Sequence, residues 1–296
     1  MKQQDYLVRA VLGANQARVF ALRTTNVARE AQARHLTSPT ASAALGRSLT
    51  IGLVLGAMLK GEETVTIQIK GDGPLKGIVA SANSRGEVKG YVGNPFVDLP
   101  LNREGKLAVG EAVGSGNLYV LRDLGLKDVY QGAVPLQTGE IGDDFAYYFA
   151  HSEQIPSAVV LGVLVGLDQK PIGAGGIVLQ LLPDAAADQA FIDKLEAKLA
   201  NMSAISSFFA ADGTPEDILE EYFSNLNPRI IDTSPVRFRC DCSRERFEKG
   251  LLTLGRAELQ ELVDLEDQAE IVCHFCTKSY YFSNRELKAM IRELDT

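Results

Sequence analysis

The chain has 296 residues, 46% of them apolar and 23% charged, a balance that excludes wholesale disorder and leaves room for roughly two domains. Four cysteines are too few for a secreted disulfide scaffold, and a formal net charge of −8 argues against a whole surface that grips nucleic acid or anionic lipid. The charge is uneven, since residues 1–182 hold 17 Lys/Arg and 16 Asp/Glu while residues 183–296 hold 13 and 22.

The start of the chain carries charges at Asp5, Arg9 and Arg18 and lacks an unbroken apolar stretch, so no signal peptide is expected. Leu49 to Leu59 is too short and glycine-rich to cross a bilayer. The expected home is the cytoplasm, with no membrane partner; thiols stay reduced there, and clustered cysteines point to metal or redox chemistry.

Residues 1–182 read as an α+β body with a largely antiparallel sheet. Ser38-Pro39 resembles an N-cap with proline at N1, opening a helix toward Lys60 that Gly61 would close. Thr64–Lys70 alternates with period two, the turn Gly71-Asp-Gly-Pro74 follows, and Leu75 to Ala80 completes a hairpin. Short strands are predicted around Glu87–Val92, Lys106–Val113, Asn117–Leu121 and Tyr130–Pro135, with no long helices between them, which disfavours a Rossmann sheet. A helix is expected over Asp143–Ser152, and a last strand pair around the glycine run Pro171–Gly176.

The texture changes at Pro183. Phe191, Leu195, Leu199, Met202 and Ile205 recur every three or four residues, which predicts one amphipathic helix. Thr214-Pro-Glu-Asp217 is a capping box that opens a second, carrying Ile218, Leu219, Tyr222 and Phe223 before Asn227-Pro228 breaks it. Residues 183–236 therefore read as a helical linker with one apolar face. The remainder, 237–296, predicts helices after Ser243 and Gly255, a strand at Lys278–Phe282 and a helix opened by Ser283-Asn-Arg-Glu286. A piece of that size needs a staple to fold.

The staple is legible. Cys240-Asp-Cys242 and Cys273-His-Phe-Cys276 are the only cysteines, and two close thiolate pairs supply the four soft donors that tetrahedral Zn²⁺ prefers. His274 is a possible substitute ligand, although the residue inside a CxxC turn usually points away. The first pair is CxC, unlike the two CxxC knuckles of a static zinc ribbon. A Cys240–Cys242 disulfide would need local distortion, and strained disulfides are the easily reduced, regulatory kind. Arg237, Arg239, Arg244 and Arg246 surround this pair in sequence and predict a basic collar that keeps the thiolates ionised. The competing use of those arginines, nucleic-acid contact, is disfavoured because residues 240–296 hold 12 acids against 8 bases. The glycine segments 71–73 and 173–176 fit no phosphate-loop pattern and read as turns, and His151-Ser152 beside Asp143 and Asp144 lacks a nucleophile elbow.

With these residues in view, the whole chain resembles the bacterial redox-regulated heat-shock holdases, the 33 kDa chaperonin family. The resemblance rests on CxC-x₃₀-CxxC and is reinforced by Gly90-Tyr-Val-Gly-Asn-Pro95, Ser38-Pro-Thr-Ala-Ser-Ala-Ala-Leu-Gly46 and Ser152-Glu-Gln-Ile-Pro-Ser157. It implies ATP-independent holding of unfolding client proteins, switched on when oxidants expel one Zn²⁺ from Cys240, Cys242, Cys273 and Cys276, and dimerisation of the active form. Adjacency in sequence predicts the disulfides Cys240–Cys242 and Cys273–Cys276. The linker face formed by Phe191, Leu195, Leu199, Ile218, Leu219, Tyr222 and Phe223 is expected to be freed in that state. Two other classes remain open on the sequence: a static zinc module that binds nucleic acid, and a thiol–disulfide oxidoreductase.

Overall fold

Alternating and fully apolar runs in the N-terminal part of the chain become two sheets, seen in a computed structural model that describes residues 4–126, 128–185, 188–265 and 267–294. The first sheet contains β1 (Tyr6–Leu12), β2 (Ala17–Arg23), β8 (Ser157–Val165), β9 (Pro171–Leu181) and β10 (Arg229–Pro235), ordered β10-β1-β2-β9-β8 and antiparallel throughout. The second contains β3 (Thr64–Gly71), β4 (Ile78–Asn83), β5 (Glu87–Val92), β6 (Gly116–Asp123), β7 (Tyr130–Pro135) and the two-residue β11 (Arg237–Phe238), ordered β11-β5-β4-β3-β6-β7. Only β11 runs parallel to its neighbour, β5.

Between the sheets lies α2 (Pro39–Gly56), in which every residue from Thr40 to Gly56 except Arg47 is buried. Its run of Ala, Gly, Ser and Leu is apolar all round, as a helix enclosed on every side requires. Gly46 abuts Val163 of β8, while Gly52 faces Ile67, Ala80 and Val88 of the other sheet, so the small residues let both sheets approach. The helix stops five residues before Gly61, and the Ser38 hydroxyl donates to the Val97 carbonyl instead of capping. An unanticipated helix, α1 (Thr25–His35), packs beside it.

Other elements also differ from the sequence expectation. Part of the strand predicted at 106–113 is a five-residue helix, α3 (Val109–Val113), too short to show a period. The glycine run 173–176 is not a turn but lies inside β9; the chain reverses at 166–170 instead. The reason is close approach, because a Cβ at Gly175 would lie 2.2 Å from the Phe209 ring and one at Gly173 would lie 2.2 Å from the Ser206 carbonyl. The helix predicted near residue 143 is α4 (Gly142–His151).

Phe209 belongs to the layer that covers the outer face of the first sheet. This layer comprises α5 (Gln189–Ala200), α6 (Ile205–Ala210) and α7 (Pro215–Phe223), so the single helix expected over 191–205 breaks after Ala200. Asp188 caps α5, and the Thr214–Asp217 capping box opens α7 as the sequence predicts. Phe191, Leu195, Ile218, Leu219 and Phe223 are buried against Val8, Ala10, Leu12, Val19, Ala21, Ile177 and Leu179, with Leu199 and Tyr222 packed at the margin. Polar contacts tie the layer down: Gln16 Nε2 donates to Asp188 Oδ2 at 2.8 Å and the Tyr6 hydroxyl to Glu216 Oε2 at 2.6 Å.

The chain parts into two compact units, one up to Arg239 and one from Cys240 onward, and the helices of residues 189–223 belong to the first. The second unit contains α8 (Arg244–Leu252), α9 (Arg256–Leu265), the hairpin β12 (Gln268–Val272) and β13 (Ser279–Ser283), and α10 (Asn284–Glu293). Its own small core is built on Leu251, Leu259, Tyr280, Phe282, Leu287 and Met290.

Candidate metal centre

The site is assembled from two short segments of the second unit. Cys240 and Cys242 lie in the extended stretch before α8, where Ser243 caps the helix by accepting from the Arg246 amide. Cys273 and Cys276 lie on the connection between β12 and β13. There the Cys273 carbonyl accepts from the amides of Cys276 and Thr277, and the Cys273 amide donates to the Lys278 carbonyl at 3.0 Å. Thr277 takes a left-handed φ of 61° to close this turn.

The four Sγ atoms lie within 4.8 Å of one another, and His274 is not part of the group. Two short sulfur contacts cross between the segments: Cys240 to Cys273 at 3.7 Å and Cys242 to Cys276 at 3.3 Å. A tetrahedral ion with metal–sulfur bonds of about 2.3 Å requires sulfur–sulfur edges of about 3.8 Å. The donor set and its spacing therefore fit a thiolate-bound metal. Cys273 and Cys276 are buried and Cys240 and Cys242 half-buried, so the site sits at the margin of the small core.

Tyr280, which the sequence reading overlooked, closes one side. Its hydroxyl donates to the Cys242 carbonyl at 3.0 Å and contacts Cys242 Sγ at 3.2 Å, and its ring packs on Phe247 at 4.9 Å. Burial pushes the Cys240 and Cys276 thiols up. Burial acts the same way on Cys242, but hydrogen bonds from Tyr280 and the neighbouring thiols outweigh it and hold that thiol below its ordinary range. The uneven proton affinities follow from four like groups crowded into a space that favours few charges.

The expected basic collar is not what the arginines form. Arg246 pairs with Asp241 at 3.0 Å, and Arg244 pairs with Glu286 at 2.7 Å while stacking over Phe282. In the first unit, Arg237 and Arg239 both bind Glu87 Oε1, at 2.6 and 2.7 Å. Nearby carboxylates engage all four cations, so their charge is directed at acids rather than sulfur. Burial would raise the Glu87 carboxyl, but hydrogen bonds from Arg237, Asn83 and Arg239 hold it down to about 2. This clamp fixes the chain on the edge of the second sheet just before Cys240. No local pattern announces it, because Glu87 precedes Arg237 by 150 residues.

The weaker hydrolase pattern does not assemble. His151 stacks on Tyr147 with centroids 3.7 Å apart, and Asp144 is buried accepting from the amides of residues 137, 138, 139 and 141.

A family model described as Hsp33 protein matches residues 5–283. The chain belongs to the Hsp33 family. The 33 kDa chaperonin of Geobacillus kaustophilus is 50% identical over 287 residues, 97% of each chain. That of Bacillus licheniformis is 48% identical over 291 residues, 98% of this chain and all of the relative. The solved 33 kDa chaperonin of Thermotoga maritima superposes with a TM-score of 0.91 at 37% identity, covering 99% of this chain and all of that one. An Hsp33 chain of this kind is a chaperone, and its α+β fold with a small C-terminal cysteine-cluster domain is that of the family.

Proposed function

We propose that this chaperone is a redox-regulated, ATP-independent holdase, a binding protein rather than an enzyme. In the reduced state Cys240, Cys242, Cys273 and Cys276 hold one Zn²⁺ and the client-binding surface is covered. The observation that carries the reading is the helical layer α5–α7, whose apolar face packs on the first sheet of a chain that also bears a four-thiol cluster. Such a layer conceals two complementary apolar surfaces at once. Large exposed apolar patches are what a holdase offers to unfolding chains.

The dependence of the second unit on its metal follows from magnitudes. A structural zinc site contributes about 10–16 kcal/mol near neutral pH, whereas whole domains are stable by only about 5–15 kcal/mol. The second unit, with its small core, depends on that contribution. Oxidation by a peroxide converts two thiols to one disulfide and reduces the peroxide to two waters, and two such events remove the donor set. Cys240 with Cys242 and Cys273 with Cys276 are separated by one and two residues, so these are the shortest rings that oxidation can close. The tail then unfolds, α5–α7 lift from β1, β2 and β9, and the uncovered apolar faces bind clients and a second copy of the chain. The cytoplasm, where thiols start reduced, suits such a switch.

Light scattering of a thermally aggregating client tests the reading. Peroxide-treated protein should suppress scattering at stoichiometric ratios, and reduced, zinc-loaded protein should not. Equal suppression by both forms would remove the redox switch, and turnover of insulin disulfides by the reduced form would favour an oxidoreductase.

A further inference from the structure

A cleft of about 550 Å³ opens in the first unit, far in sequence from the cysteines. One wall is the face of the first sheet that carries Arg18, and others come from the end of α2 and from α4 and β7. Arg18 is half-buried and held rigidly. Its Nε donates at 2.8 Å to Oε1 of Gln180, the residue opposite it on β9. Gln180 is fully buried, and its amide donates in turn to Ser157 Oγ. The Arg18 guanidinium also lies over the Phe20 ring, which Arg9 shares: the two cations sit 5.7 and 5.5 Å from its centroid. The two guanidiniums repel each other, a repulsion that the nearby Glu153 carboxylate offsets only in part, and Arg9 has its own partner in the Ala57 carbonyl.

The anions lining the cleft are already engaged. Glu153 is bound by Arg122 at 2.9 Å and by the Tyr148 hydroxyl at 2.5 Å, and Glu63 accepts from the Lys60 amide at 2.8 Å. Among the described residues, neither the terminal nitrogens of Arg18 nor the Lys60 ammonium has a hydrogen-bonded or ion-paired partner. The remaining lining includes Met58, Leu59, Tyr130, Phe149 and Ile155. Half of the twelve lining residues are apolar and half charged or polar, and the volume falls within the usual range of small-molecule sites.

We propose that this cleft binds a small organic anion, a phosphate or carboxylate carried on an aromatic or aliphatic body. The free Arg18 fork receives the anionic group, Lys60 adds a second charge, and the body rests on Tyr130 and Phe149. A guanidinium oriented through its Nε leaves its Nη pair free for bidentate recognition.

Calorimetric titration of the reduced full-length protein with phenyl phosphate, inorganic phosphate and benzoate tests the assignment. Phenyl phosphate should bind saturably and be weakened by added salt. Inorganic phosphate should bind more weakly, for want of the ring, and benzoate reports whether a carboxylate suffices. Arg18→Gln should weaken phenyl phosphate at least about tenfold, the size of one charge-assisted contact. Tyr130→Ala should weaken phenyl phosphate while leaving inorganic phosphate unchanged. Should Arg18→Gln fail to fold, the exposed Lys60→Gln variant decides, with an expected loss of about threefold or more. Absence of saturable binding by all three probes, or binding unchanged in the folded Arg18 or Lys60 variant, would overturn the proposal.

Discussion

Replacing Phe223 by aspartate tests whether the helical layer gates the chaperone. Phe223 is completely buried at the end of α7 against the outer face of the first sheet. Removing a buried phenyl ring costs about 3–5 kcal/mol, and placing a carboxylate in the space adds several more unless it reaches water. Lifting the layer relieves both penalties, and the core between the two sheets is a separate cluster that does not need α7. A bias of about 5.5 kcal/mol takes a two-state equilibrium from 1:99 to 99:1. Phe223→Asp exceeds that figure and Phe223→Ala falls short of it. The expected order in a client-aggregation assay without oxidant is therefore Phe223→Asp, then Phe223→Ala, then the inactive parent. Metal content should stay at one ion per chain in all three. Leu195→Asp, on α5, should behave like Phe223→Asp, which guards against a direct role of Phe223 in client contact. If both aspartate variants stay folded and metal-loaded yet remain inactive until oxidised, the layer is not the gate.

Serine at any one of Cys240, Cys242, Cys273 or Cys276 should sharply weaken zinc retention in metal analysis, and full occupancy in all four variants would contradict the ligand set. Peptide mapping after peroxide should find Cys240–Cys242 and Cys273–Cys276, although Cys240 to Cys273 and Cys242 to Cys276 are short sulfur contacts in the folded unit; predominantly crossed products would overturn the local pairing. Glu87→Gln should lower the thermal midpoint at neutral pH, at a cost of about 1–2 kcal/mol once screening at the half-exposed Arg237 and Arg239 is allowed for. Because the Glu87 carboxyl is depressed to about 2, its contribution is present above its unfolded value near 4.5 and is lost as pH falls toward 2, so the two proteins should converge in acid. Asp5 runs the other way: burial pushes its carboxyl up to about 6, so its contribution is complete below about pH 4 and lost as pH rises through 6. The stability difference between Asp5→Asn and the parent should shift by about 2–3 kcal/mol in favour of the variant across that window; a difference independent of pH would refute the assignment.

What could be read from the sequence was local. The alternation of residues 64–70, the proline-opened start of α2 and the capping boxes at Thr214 and Ser283 need only neighbouring residues, and all of them appear. The cysteine spacing predicted a four-sulfur cluster, and the four Sγ atoms do lie within 4.8 Å of one another. The misses depend on distant partners. The glycines of β9 resemble a turn until α6 is seen to press on them. β10 is an exposed edge strand whose pairing with β1 joins residues more than two hundred positions apart. The arginines near the CxC pair suggested a collar for sulfur, but Glu87 and Glu286 take three of them from afar. Tyr280 signals nothing in sequence, since its role depends on the hairpin that carries it to Cys242.

Amide hydrogen exchange on the full-length protein, reduced and zinc-loaded against peroxide-treated, tests the central claim most directly. Oxidation should strip protection from α8–α10 and, in the same samples, from α5, α6 and α7, while β3, β4 and β6 keep theirs. An oxidised, client-holding protein in which α5–α7 stay as protected as in the reduced form would contradict the account, because the apolar face of β1, β2 and β9 would still be covered.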